Sequence, residues 1–228
     1  GRGSSLLVSF VCKAEAFLLP IPQALSRIHA SHMGYPGSTP TWQTIFNQPV
    51  RRKVFLSHSH IHERENAAFL RDFGDVFIAK QLGIFGNEDF INSTDTNYVM
   101  QCVRSRYVQD STVTIVLIGA CVHSRRYIDW EIKASLRQGA DSLPNGLLGI
   151  TLPSTNGNAV LPERFEQNWK QWNSNCYAHF QPYPASKEQL RIWIEEAYAR
   201  RRTHSHLISN SRDMWGYNRE CRIHGVTH

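Results

Sequence analysis

Residues 112–119 read TVTIVLIG, almost wholly apolar and rich in β-branched side chains. A strand with one wet face alternates apolar and polar residues. An unbroken apolar run must be covered on both faces, as in the centre of a parallel sheet. Parallel neighbours cannot be joined by a hairpin, so the flanking sequence must supply crossover segments, usually helices.

The flanking sequence meets that demand. Residues 53–57 (KVFLS) form a short buried first strand, and from Glu63 the apolar residues Ala67, Phe69, Leu70 and Phe73 recur at helical spacing. Val76, Phe77 and Ile78 follow without a clear period. Residues 83–95 (GIFGNEDFINSTD) hold the glycines, asparagines and acids of a loop, with room for a short strand. Asp95 then suits the cap of a second helix carrying Tyr98, Val99, Cys102, Val103 and Arg106. Ser124 is expected to cap a third helix that runs to about Gln138 and stops at Gly139. Residues 147–152 (LLGITL) read as the next strand.

Beyond Pro153 the pattern is weaker. Residues 161–172 suit a helix and residues 176–180 (CYAHF) a final strand. Residues 186–202 form an amphipathic helix opened by the capping box of Ser186 and Gln189. After Thr203 no periodicity appears, and the segment reads as a disordered tail or an assembly arm. Strand and helix alternate, which specifies an α/β fold with a parallel sheet and helices on both faces. Ligands of such sheets bind outside the carboxyl ends of the strands, which puts residues 57–60, residues 120–124 and the loop around Asn87 on one rim.

The expected organisation is an extension and linker over residues 1–50, an α/β core over 51–152, and a carboxyl-terminal extension over 153–228 that completes or decorates the domain. Residues 30–33 (ASHM) resemble a vector junction, so residues 1–33 carry little weight in the reading. The formal net charge is +6, but the basic residues fall in short groups such as Arg51–Arg52, Arg125–Arg126 and residues 200–202 rather than along one stripe. Nucleic acid is therefore not the expected partner. The five cysteines are scattered without a C-x-x-C pair, favouring reduced thiols and a cytoplasmic setting. No apolar run is long enough to suggest a membrane span.

Chemistry concentrates in residues 123–136 (HSRRYIDWEIKASL). Tyr127 and Glu131 are four apart, hence on one helical face, while Ile128 and Ile132 point towards the sheet. A carboxylate at the edge of an apolar site is costly to ionise and titrates high. Spacing alone favours a plainer alternative, in which Glu131 pairs at the surface with Lys133, Arg126 or another cation and contributes less than about 1 kcal/mol.

Three motifs in order shift that balance: VFLS at residues 54–57, TVTIVLIG at 112–119 and SRRYIDWEI at 124–132. Together they resemble the TIR-like domains of the ThsB type found in Thoeris antiphage defence, over about residues 52–152. The resemblance implies a flavodoxin-like TIR fold and an enzyme that breaks the nicotinamide–ribose bond of NAD, forming an ADP-ribose product, cyclic or conjugated, that signals to a separate effector. Tyr127-x-x-x-Glu131 matches the family's aromatic-x-x-x-Glu element, which makes Glu131 the implied catalytic residue. NAD is then substrate rather than cofactor, and no metal is needed. A carboxylate is what the reaction demands, because positive charge grows on the ribose as nicotinamide leaves.

The implied nucleotide contacts are Ser57 and His58 at the end of the first strand, Arg126 towards a phosphate, and Tyr127 or Trp130 stacking on a ring. Asp95 joins this group, although its position favours a cap. Tyr127 stands where the family often has Trp, and His58 where an aromatic is common. Two rival readings remain at this point. The HSHIH run, His58, His60 and His62, resembles the start of some metallohydrolase sites but lacks their acidic residue. The same fold also serves as a non-catalytic assembly module, and self-association is expected with either role.

Overall fold

A computed structural model of the chain describes residues 50–81, 95, 98, 101–102, 105, 108–139, 142–169 and 175–227. Strands β1 (Lys53–Ser57), β2 (Ile78–Gln81), β3 (Val113–Ile118), β4 (Gly146–Thr151) and β5 (His179–Gln181) form one sheet in the order β2-β1-β3-β4-β5. All four pairings are parallel. Helices α1 (Glu63–Phe73), α2 (Arg126–Ser135), α3 (Glu163–Asn168) and α4 (Lys187–Thr203) cover the sheet. This is the flavodoxin-like arrangement that a TIR fold requires. The strand order reverses between β1 and β3, so their carboxyl ends mark the switch point at which such sheets bind ligands.

Side-chain alternation explains how the layers are assembled. Val54, Leu56, Ile115, Leu117, Leu148 and Ile150 face one way and pack on Phe69 and Phe73 of α1 and on Leu190, Trp193 and Ile194 of α4. The intervening residues Val116, Ile118 and Leu147 face the other way, onto Ile128 and Ile132 of α2 and Phe165 of α3. Phe55 shares that second face and meets Trp130 and Ala134. The unbroken apolar run of β3 is thus consumed on both sides, each fully buried aliphatic side chain contributing roughly 1.5–3 kcal/mol. Two glycines of β4 let helices approach closely: a Cβ on Gly146 would strike the Ala197 carbonyl of α4, and one on Gly149 would stand 2.6 Å from the Phe165 ring of α3.

Several expectations are corrected in detail. Ser124 does not cap α2. The cap residue is Arg125, and the Ser124 hydroxyl donates to the Cys121 carbonyl at 2.9 Å. The first amide of α2, at Arg126, instead donates to the side chain of Asn218 at 3.0 Å, so the cap comes from far along the chain. Helix α2 also ends at Ser135, three residues before the expected Gln138. The carboxyl-terminal helix is as expected: the Ser186 hydroxyl accepts from the Gln189 amide at 3.2 Å, and the Gln189 side chain accepts from the Ala185 amide at 2.9 Å. The loop expected around Asn87 lies outside the described residues.

The aperiodic segment beyond Thr203 is not a disordered tail. Its backbone is tied to α2 by long side chains: Trp130 Nε1 donates to the Trp215 carbonyl at 2.8 Å, Lys133 Nζ to that of Arg212 at 2.5 Å and Arg126 to that of Gly216 at 3.0 Å. Beneath it lies a buried ion network. Asp129 receives Arg164 at 2.9 and 3.3 Å, Arg212 at 2.8 Å and the Trp215 amide at 3.2 Å. Arg164 is fully buried and also donates to Asn210 and to the carbonyls of Arg212 and Asp213. Such a network is maintained only because every charge in it is hydrogen-bonded.

Candidate functional site

The parity that places Phe55 over α2 also turns Ser57, two residues on, towards the same helix. Within α2, Glu131 follows Ile128 by three residues and precedes Ser135 by four, so all three face the sheet. Lower on this face the Ser135 and Thr114 hydroxyls meet at 2.7 Å. Higher up, at the carboxyl end of β1, the Ser57 hydroxyl donates to Glu131 Oε2 at 2.5 Å. Both residues are buried. Burial raises the Glu131 carboxyl to about 8, and the Ser57 hydrogen bond opposes that rise only in part. An acid held protonated near neutrality, at the switch point of a parallel sheet, is poised to ionise when a cation arrives.

The surface ion pair considered for Glu131 is not formed. Lys133 and Arg126, its suggested partners, are engaged with the tail. Arg126 also donates to the Tyr127 hydroxyl at 3.0 Å, and the Tyr127 and Trp130 rings meet edge to face with centroids 5.0 Å apart. Trp130 is buried and its indole N–H is taken by the tail, so its place is beneath the site, in the packing that holds α2. Tyr127, on the same helical face as Glu131, is half-buried.

His58 follows Ser57 on the rim. Asn66 donates to its Nδ1 at 3.1 Å and to the Ser59 carbonyl at 3.0 Å. Burial, helped by the neighbouring His60, lowers His58 to about 4, leaving the ring neutral at physiological pH. His62 turns to Glu65, 3.3 Å away, and burial lowers it as well. The HSHIH histidines therefore do not converge as a metal site. Asp95 accepts from the Tyr98 amide at 3.3 Å, the geometry of a helix cap. A groove of about 720 Å³ lies beside the carboxyl ends of β4 and β5, lined by residues that include Leu152, Trp169, Phe180, Tyr183 and Arg222. Glu131 does not line it.

Residues 55–157 match the family model of the Thoeris protein ThsB, TIR-like domain. Over that segment the chain is similar to the Thoeris ThsB TIR-like domain. No curated protein matches the chain. The matched span takes in the end of β1 from Phe55, the switch point, all of α2 and β4, so both Ser57 and Glu131 lie within the matched segment. Residues 158–227 lie beyond it, yet they supply β5, α4, the cap of α2 and the Asp129 network. Among the described residues no helix is long and apolar enough to cross a membrane.

The elements that carry Ser57 and Glu131 are legible in the sequence, but the bond between them is not, because it depends on the register of β1 against α2. The tail's role was missed for a different reason. It works through backbone carbonyls and through single side chains such as Asn218 and Arg212, which leave no trace in side-chain periodicity.

Proposed function

We propose that this TIR-like domain cleaves the nicotinamide–ribose bond of NAD, with Glu131 as the catalytic residue and Ser57 positioning it. The observation that carries the reading is the buried Glu131 carboxyl, bonded to Ser57 at the carboxyl end of β1. NAD brings a cationic nicotinamide ring, and a positive charge beside a buried acid favours its ionised form. The C1′–N bond then breaks heterolytically. Its electron pair leaves with nicotinamide, and the ribose develops oxocarbenium character that a fixed carboxylate stabilises. Water, or a nucleophile of the same nucleotide, closes on C1′ to give ADP-ribose or a cyclic relative. In a cytoplasmic defence system that product would act as a diffusible signal to a separate effector, and self-association would gather several such sites.

His58, neutral on the rim, offers a hydrogen bond rather than a charge, which suits contact with a ribose or amide. Tyr127 remains a candidate ring contact. Arg126 and Trp130 serve the proposal by holding α2 in place.

The test is to incubate the chain and a Glu131→Gln variant with NAD and follow nicotinamide by chromatography. Release by the parent, reduced at least about 100-fold in the variant, is the expected result for loss of a group that stabilises transition-state charge. Equal release by both would remove Glu131 from the chemistry. Silence of both at high protein concentration would favour the non-catalytic assembly role of the same fold.

A further inference from the structure

Just beyond β3 the chain turns through residues 119–121 and presents Cys121, which is buried. The tail returns to this point in a tight turn. The Cys221 amide donates to the Val226 carbonyl at 2.8 Å, the Gly225 amide donates to the Cys221 carbonyl at 2.7 Å, and Glu220 bridges Thr227 in antiparallel fashion. Gly225 sits at φ 64°, the left-handed conformation that a glycine adopts without strain. The turn aims two donors at Cys121. Cys221 Sγ stands 3.1 Å from Cys121 Sγ, and His224 Nδ1 stands 3.0 Å from Cys121 Sγ and 3.8 Å from Cys221 Sγ. The sulfurs are well beyond the roughly 2.05 Å of a disulfide. Among the described residues this is the one group of His, Cys, Asp or Glu side chains converging closely enough to hold a metal ion.

We propose that Cys121, Cys221 and His224 bind a zinc ion that clasps the tail to the rim of the sheet. Two thiolates and an imidazole are a soft donor set that selects zinc over the hard cations. A tetrahedral zinc ion with Zn–S of about 2.3 Å and Zn–N of about 2.05 Å separates its ligand atoms by roughly 3.6–3.8 Å. One of the observed separations already has that value, and the other two need to open by about 0.6 Å, within reach of small χ1 changes. Two thiolates neutralise the dication, so a position walled by two buried cysteines is electrostatically acceptable. His224 is the exposed member, so water would complete the tetrahedron. The C-x-x-H spacing of Cys221 and His224 lets one turn supply two ligands, while Cys121 comes from a separate segment, so the ion would tie the tail to the core through three protein ligands and a water.

The role is mechanical. The same tail carries Asn218, which caps α2, and Trp215, which receives the Trp130 N–H, so a clasp at residues 221–224 fixes the support of the Glu131 helix. The full chain, purified with zinc and dialysed against metal-free buffer, is expected to retain about one zinc per chain by elemental analysis. Cobalt(II) substitution should give a sulfur-to-cobalt charge-transfer band and the intense visible bands of a tetrahedral ion. This signature separates the clasp from adventitious binding to the other histidines. Because His224 is exposed, His224→Ala should fold, lose the tetrahedral spectrum and bind zinc at least about tenfold more weakly in chelator competition. Cys221→Ser should abolish the charge-transfer band. Absence of that band in the parent chain would overturn the proposal, as would a Cys121–Cys221 disulfide found by mass spectrometry in chain purified with zinc.

Discussion

Replacing Glu131 by Gln tests the electrostatics of the site without any assumption about substrate. In the folded chain the Glu131 carboxyl is raised from 4.5 to about 8. Between those values the native state holds a proton that the unfolded state has released. Stability therefore falls as pH rises, since its slope follows the protons bound in the unfolded state minus those in the native state. The penalty is absent below about pH 4.5, grows through the interval and is complete above about pH 8. At about 1.4 kcal/mol per pH unit the full interval corresponds to about 5 kcal/mol, and any water reaching the carboxylate reduces it. Glutamine keeps the shape, accepts the Ser57 hydroxyl through its carbonyl and does not titrate. Urea unfolding of both forms, followed by tryptophan fluorescence, should give similar stabilities at pH 5 and a variant more stable by several kcal/mol at pH 9. Groups elsewhere cancel in the difference between the two curves. A difference constant within about 0.5 kcal/mol from pH 5 to pH 9 would show that Glu131 titrates as an ordinary carboxylate, and the argument from burial would be wrong.

Ser57→Ala removes the donor that restrains the rise at Glu131, so the upper limit of the Glu131-dependent stability change should move above about 8; its cost at pH 5 should be about 1–3 kcal/mol, and an unmoved upper limit would remove Ser57 from the positioning role. Asp129→Ala leaves Arg164 buried without its carboxylate and should cost about 3–5 kcal/mol, lowering the melting temperature by roughly 10 °C; adding Arg164→Met should recover part of that loss, and a simple sum of the two costs would show that the residues act independently. Trp130→Phe keeps the ring packing but loses the bond to the Trp215 carbonyl; limited proteolysis should then cut within residues 204–227 faster than in the parent, and unchanged cleavage would mean that this bond does not hold the tail.

The layered architecture was legible because hydrophobic period and strand parity are local. TVTIVLIG had to lie at the centre of a sheet, and Phe69, Phe73, Ile128 and Ile132 had to cover it. Ser186 and Gln189 marked a helix start that needs only neighbouring atoms. Where partners come from distant segments, the sequence misled. Ser124 had the chemistry of a cap, but Asn218 took that place because the tail packs over Arg126. Trp130 looked like a stacking surface, yet its N–H is taken by the Trp215 carbonyl. Cys121 and Cys221 looked scattered because their separation along the chain hides their convergence in space.

Helix α2 is finished by contacts spanning 83 residues to Arg212 and 92 to Asn218. During synthesis the segment bearing Glu131 emerges before residues 212–218, and until they follow it lacks its distant supports. Closing contacts across so long a loop comes late in folding. A chain cut before residues 212–218 should therefore lack a firmly held Glu131 helix, whatever that helix does.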